Sequence, residues 1–195
     1  QRYALTGILL GLGVLTRGYV LAVALALIFI GLREGSVLAL RRVALFATTT
    51  VLILFTFFAL AAPDQLVAAV TSWWAGPAGY GSLWMIPSIT GNAVPTWVLS
   101  VLSALGWALA LALGWVLTRD SYRTPTWPQV ALVVVGVGMM LGRVVPVQAA
   151  LWLLPLAAMA GVRWRDHLIW AACEALHFGA VWLYIGALTT PDRAL

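Results

Sequence analysis

Two arginines break into apolar sequence where a cation is expensive. Arg17 sits in Thr16-Arg17-Gly18, and Arg143 in Gly142-Arg143-Val144-Val145-Pro146-Val147-Gln148. A guanidinium is a rigid fork of donors whose geometry matches a phosphate, so each break is a candidate phosphate site. Gln148 adds an amide that can bond a phosphate or sugar hydroxyls. The plainer readings are an arginine snorkelling to headgroups at position 17, and a topology marker with a polar turn at 143–148. Glu174 and His177 lie three residues apart in an apolar run, on one helix face. Intramembrane ionisable groups are functional candidates by default. Glu174, however, is only about two helical turns from Arg163–Asp166, so a structural bond to Arg163, Arg165 or a neighbouring helix is preferred, with His177 a packing histidine. Asp64, just past the end of a long apolar run, reads better as a solvated helix-end carboxylate than as a catalytic base. There is no phosphate loop and no Cys/His cluster with metal spacing, so no metal or cofactor is expected. Gly11-Leu12-Gly13 falls inside an apolar helix, where it reads as a packing feature. The lone Cys173 excludes an intrachain disulfide.

The elements that carry these residues must be membrane helices. The chain is 63% hydrophobic and 9% charged, with mean hydropathy +1.01, against about 25% charged in an ordinary soluble domain. Too few polar side chains are present to cover a water-soluble globule. The expected fold is an all-α polytopic transmembrane bundle, a single domain over 1–195 with about six or seven membrane segments. Three apolar runs, Val43–Ala62, Trp97–Leu117 and Leu168–Leu188, are long enough to cross about 30 Å of hydrocarbon. Four shorter ones come in pairs around the two arginine breaks: Ala4–Leu15 with Tyr19–Gly31, and Val130–Leu141 with Ala149–Gly161. Net charge is +5, but the arginines are scattered between apolar runs, which suits membrane topology and not nucleic acid. All the basic residues are Arg and none is Lys; with abundant Ala and Leu this points to a GC-rich, bacterial coding sequence. The start at Gln1 reads as a piece of a longer polypeptide.

Each short pair is either one overlong kinked helix or a hairpin. An arginine at the bilayer centre costs about 2.5–3.5 kcal/mol even on the lenient scale, which favours hairpins. Pro146 strengthens that for the second pair, while the first pair leaves both forms open. With hairpins, Arg33, Arg41, Arg42, Arg119, Arg123, Arg163 and Arg165 share one side and Arg143 and Arg193 the other. The first side should be cytoplasmic, with Arg2 inside and Arg17 outside. Residues 63–96 then form an extracytoplasmic loop without Lys or Arg, holding Trp73, Trp74, Tyr80 and Trp84. Its Gly and Pro residues argue against one continuous helix, with a short helix expected near Ser82–Ser88. The paired short segments also allow a transporter or flippase with broken helices, or a non-catalytic scaffold.

Three stretches carry a family resemblance. The stretch Gly7–Val20, with Gly11-Leu12-Gly13-Val14-Leu15-Thr16-Arg17-Gly18-Tyr19-Val20 at its end, resembles the Gly-Leu-Gly-x-Leu-Thr-Lys-x-x-Pro segment of C-superfamily membrane glycosyltransferases. Gly81-Ser82-Leu83-Trp84 resembles a motif in the later outer loop of family 87, the polyprenol-phosphate-mannose-dependent branch. Gln148-Ala149-Ala150-Leu151-Trp152-Leu153-Leu154-Pro155-Leu156 is similar to that family's Ser-Pro-Gln-Tyr-x-Leu-Trp-Leu-Leu-Pro-Leu, and Arg163-Trp164-Arg165-Asp166 and Glu174 follow in the family's order. Arg17 replaces the usual Lys, Val20 stands where Pro is frequent, and Pro146-Val147-Gln148-Ala149 replaces Ser-Pro-Gln-Tyr. The resemblance implies a bacterial plasma-membrane enzyme that takes a sugar, mannose by analogy, from a polyprenyl-phosphate donor to an extracytoplasmic acceptor. It implies Arg17 and Arg143 as lipid-phosphate ligands, and Tyr19, Ser82, Trp84 and Gln148 as cavity residues. The family's catalytic Asp lies in a first outer loop that would precede Gln1, so no catalytic residue is assigned in this chain.

Overall fold

The computed structural model describes residues 2–189, without the side chains of 72–75; Arg193 lies outside the described residues. Those residues form helices and no strand: α1 (Arg2–Thr16), α2 (Tyr19–Arg33), α3 (Val37–Ala61), α4 (Pro63–Ala75), α5 (Met85–Ile89), α6 (Thr96–Asp120), α7 (Trp127–Leu141), a 3-10 segment (Val147–Trp152) running into α8 (Leu153–Ala160), and α9 (Trp164–Thr189). The all-α expectation holds. Helices α3, α6 and α9 are long and apolar enough to cross a membrane, and the chain is a membrane protein. All three extend beyond the apolar runs, into Arg41-Arg42, Arg119-Asp120 and Arg165-Asp166, because backbone bonding continues through flanking arginines, which are good helix formers.

The first short pair is a hairpin. Arg42 sits over the Tyr3 ring at 6.0 Å, Gly7 lies against Val43 and Phe46, and Gly11 against Ala47 and Thr50. Both numbers rise together, so α1 and α3 run parallel. The turn between α2 and α3 is tight. The Ser36 N–H donates to the Gly31 carbonyl at 2.8 Å and the Gly35 N–H to Leu32 at 3.3 Å. With Gly35 at φ +69°, that is a Schellman end, which uses up carbonyls the helix would leave unpaired. Since α3 starts beside the end of α2, and α1 starts level with α3, α2 must return antiparallel to α1. The Gly7-x-x-x-Gly11 spacing provides the close approach: a Cβ on either glycine would sit 2.6–2.7 Å from an α3 carbonyl oxygen. Gly11 thus serves packing, as its sequence context predicts.

The second pair is also a hairpin. Near its base, Gln129 on α7 donates from Nε2 to the Ala160 carbonyl at the end of α8, 3.4 Å away. Gln129 also accepts the Thr126 N–H at 2.9 Å, closing the first turn of α7 as in a capping box. Antiparallel to α7 runs α6, with Gly106 against Leu141, Gly138 against the Trp107 ring and Gly114 against Val134. The core lies between α2, α6 and α7, where Ala22, Ala26, Ala110, Val130 and Val134 are buried. Small residues let backbones approach where lipid removes the usual hydrophobic drive. No residue of α3 or α9 is buried.

All the described arginines except Arg17 and Arg143 therefore gather at one end of the bundle, where Arg33 donates to the Thr118 and Ser121 carbonyls at the end of α6. The segment 63–96 lies at the other. It contains more helix than expected: Pro63 opens α4, a position where a missing N–H costs nothing, and Ala62, outside the helical region before it (φ −152°, ψ 64°), separates α4 from α3.

Both hairpin tips stop short of that end. From the register of Gly11 with Ala47 and Thr50, roughly 10 Å of α3 continues above Thr16. From the register of Gly106 with Leu141, roughly 15 Å of α6 rises above the end of α7. The tips form the floor of a recess.

Candidate functional site

A cavity of about 800 Å³ opens between the two tips, lined by Arg17 and Tyr19 from the first hairpin and Arg143 and Gln148 from the second. Its deeper wall is apolar, with Leu25 of α2, Trp107 and Leu111 of α6 and Met139 of α7. No Asp or Glu is in the lining. The cavity therefore combines two cations at its head with a greasy interior, the profile of a site for an anionic amphiphile.

The two arginines do different work. Arg17 is exposed at the mouth, its guanidinium carbon 5.3 Å from the centre of the Trp152 ring. Tyr19 stacks on the same tryptophan, centroids 4.7 Å apart and planes 13° from parallel, so one side chain of the second hairpin meets two from the first. Arg143 is 3% exposed. Its Nη1 donates to the Gly76 carbonyl at 3.0 Å, and its backbone N–H to Ser103 Oγ at 3.3 Å. It borders the cavity as a buried cation whose fork already holds the outer loop.

Of the six expected site residues, four line the cavity, and Ser82 and Trp84 do not. Those two lie behind its wall. Ser82 is 5% exposed, and its hydroxyl donates to the Gly142 carbonyl at 2.7 Å. Trp84 Nε1 donates to the Leu141 carbonyl at 2.9 Å. Both carbonyls lie at the C-terminus of α7, where the helix leaves them without intrahelical partners. Strand-like bonds join in, from the Gly79 N–H to Arg143 (2.8 Å) and from the Gly81 N–H to Val145 (2.9 Å). Their place is to brace the second tip.

Glu174 departs from its expected partners. Its Oε2 lies 3.7 Å from His177 Nδ1 one turn along, while Arg165 pairs with Asp166 at 3.5 Å. Glu174 and His177 border a smaller cavity of about 100 Å³, behind Pro146 and Val147. Asp64 is exposed in the first turn of α4 and absent from the cavity lining; a carboxylate there is favoured by the helix dipole. No group of acidic, His and Cys residues among the described residues could hold a metal.

Sequence reasoning missed Trp152 and the glycine ladder. Trp152 was visible only as an apolar member of a motif. Glycines two apart beside a serine were the available signal for close backbone approach. No family model, curated protein or solved structure matches the chain.

Proposed function

We propose that the chain is the lipid-donor part of a bacterial plasma-membrane glycosyltransferase. On this reading it transfers a sugar, mannose by the resemblance, from a polyprenyl phosphate to an acceptor on the extracytoplasmic face. The observation that carries the reading is the convergence of Arg17 and Arg143, from hairpins more than a hundred residues apart in sequence, on one apolar-walled cavity. A polyprenyl phosphate matches both parts. Its phosphate meets the cationic head and its isoprenyl chain the interior of Leu25, Leu111 and Met139.

In the reaction an acceptor hydroxyl oxygen attacks the anomeric carbon. The bond from that carbon to the phosphate oxygen breaks, the hydroxyl proton passes to a general base, and the polyprenyl phosphate leaves with the bonding pair. Arg17, exposed, bonds the departing phosphate; Arg143, held by Gly76, adds its field through the wall. Fixed charge aimed at developing charge is a large catalytic contribution. A general base is expected to give about 10²–10⁴-fold, and none of the described residues is assigned that role. The alternative of a transporter or flippase with broken helices draws less support, since both short pairs fold back on themselves.

The test is Arg17→Ala in the intact protein, assayed with a polyprenyl-phosphate sugar in proteoliposomes. Transfer should be lost while membrane insertion is normal. Turnover at the parent rate would overturn the assignment.

A further inference from the structure

Arg17 is a cation held against an aromatic ring, as Arg42 is against Tyr3. The ion pairs among the described residues are Arg165–Asp166 and His177–Glu174, so no carboxylate there neutralises it. What it meets is the ring of Trp152, at 5.3 Å. A carboxylate would take the guanidinium fork edge-on and occupy the N–H groups that bind a phosphate. An aromatic face attracts the cation through its quadrupole and consumes none of those donors. The tryptophan is itself well fixed. It closes the 3-10 segment that starts after Pro146, whose Ala149 is fully buried, and it is stacked by Tyr19.

We infer that Trp152 is a positioning residue. It holds the Arg17 guanidinium at the cavity mouth with its donors free for the oxygens of a long-chain phosphate monoester. Tyr19 completes the device by stacking on Trp152, which docks the first hairpin tip on the second and keeps Arg17 in register with Gln148 and Arg143. The ligand half of the inference rests on the function proposed above. The contact between Trp152 and Arg17 does not.

Two readouts in the full-length protein test it. The first is binding of dodecyl phosphate by calorimetry in lipid nanodiscs. Trp152→Leu should weaken binding by about threefold to fivefold and Trp152→Phe by less than about twofold, the scale of losing or keeping an exposed cation–π contact. In an Arg17→Ala background, Trp152→Leu should add almost nothing. A full additive loss there, or parent-like binding by Trp152→Leu alone, overturns the inference. The second is modification of Arg17 by phenylglyoxal, followed by peptide mass spectrometry, which needs no ligand. Trp152→Leu should raise the rate several-fold and Trp152→Phe should not; an unchanged rate in both overturns the contact. If Arg17 reactivity follows Trp152 but the parent ignores dodecyl phosphate, the ligand reading is overturned and the contact is upheld. Should Trp152→Leu not fold, Trp152→Met, whose flexible side chain fills irregular gaps without a ring, takes its place.

Discussion

Residues that look like ligands in the sequence turn out to divide between touching the cavity and building it. Trp84 illustrates the second kind. Its indole N–H reaches the Leu141 carbonyl at 2.9 Å, the last carbonyl of α7 before the tip. Trp84→Phe keeps the ring and deletes the donor, so a loss of about 1 kcal/mol is expected, the net value of one such bond. Arg143 makes the stronger case. Removing its side chain leaves the Gly76 carbonyl without its charged donor, and Arg143→Ala should cost about 1.5–3 kcal/mol, as for hydrogen bonds to charged groups. Arg143→Lys should recover only part, since a point charge lacks the fork. Thermal unfolding of the detergent-solubilised protein reads all three variants. An Arg143→Ala protein as stable as the parent would mean that the arginine does not secure the loop.

At the scale of elements, the glycines separate into those that admit another backbone and those that do not. A Cβ on Gly81 would lie 2.7 Å from the carbonyl oxygens of both Val145 and Pro146, while one on Gly179 of α9 meets nothing within 4 Å. Gly81→Ala should therefore cost about 1–3 kcal/mol through forced backbone movement, and expose residues 76–95 to protease. Gly179→Ala should be neutral or stabilising by up to about 1 kcal/mol, since alanine is the better helix former. Equal effects from the two would remove the ladder from the account. The same contrast explains what was legible. Apolar length and the cost of a mid-membrane arginine gave the three spans and the second hairpin, because both depend on local composition. The first hairpin stayed open because Gly18 is no stronger a breaker than a kink requires, and only the parallel register of α1 with α3 decides it. Placement of Ser82 and Trp84 was beyond reach, because it depends on which face of a 34-residue outer segment meets α7. Helix α4 was hidden in that segment by the Gly and Pro residues that follow it.

For the molecule as a whole, the decisive property is which end faces which compartment. The arginine-rich end holds Arg33, Arg41, Arg42, Arg119, Arg123, Arg163 and Arg165, while Arg17 and Arg143 lie in the recess at the other. Positive charge is retained on the cytoplasmic side, so the recess should open outward, where lipid-linked sugars are used on the proposed reading. A residue for labelling the open end must be reachable. Ser82 is buried against Gly142, whereas Asn92 is exposed in the same outer segment and Thr124 is exposed in the connection between α6 and α7. With the exposed Cys173 first changed to Ser, single cysteines at Asn92 and Thr124 should behave oppositely in intact cells. The first should react with a membrane-impermeant maleimide at once, and the second only after permeabilisation. Reversal of the pattern would put the cavity in the cytoplasm and remove the basis for an extracytoplasmic acceptor. Reaction of both from outside would break the alternation of α3, the outer segment and α6 on which the two-ended arrangement depends.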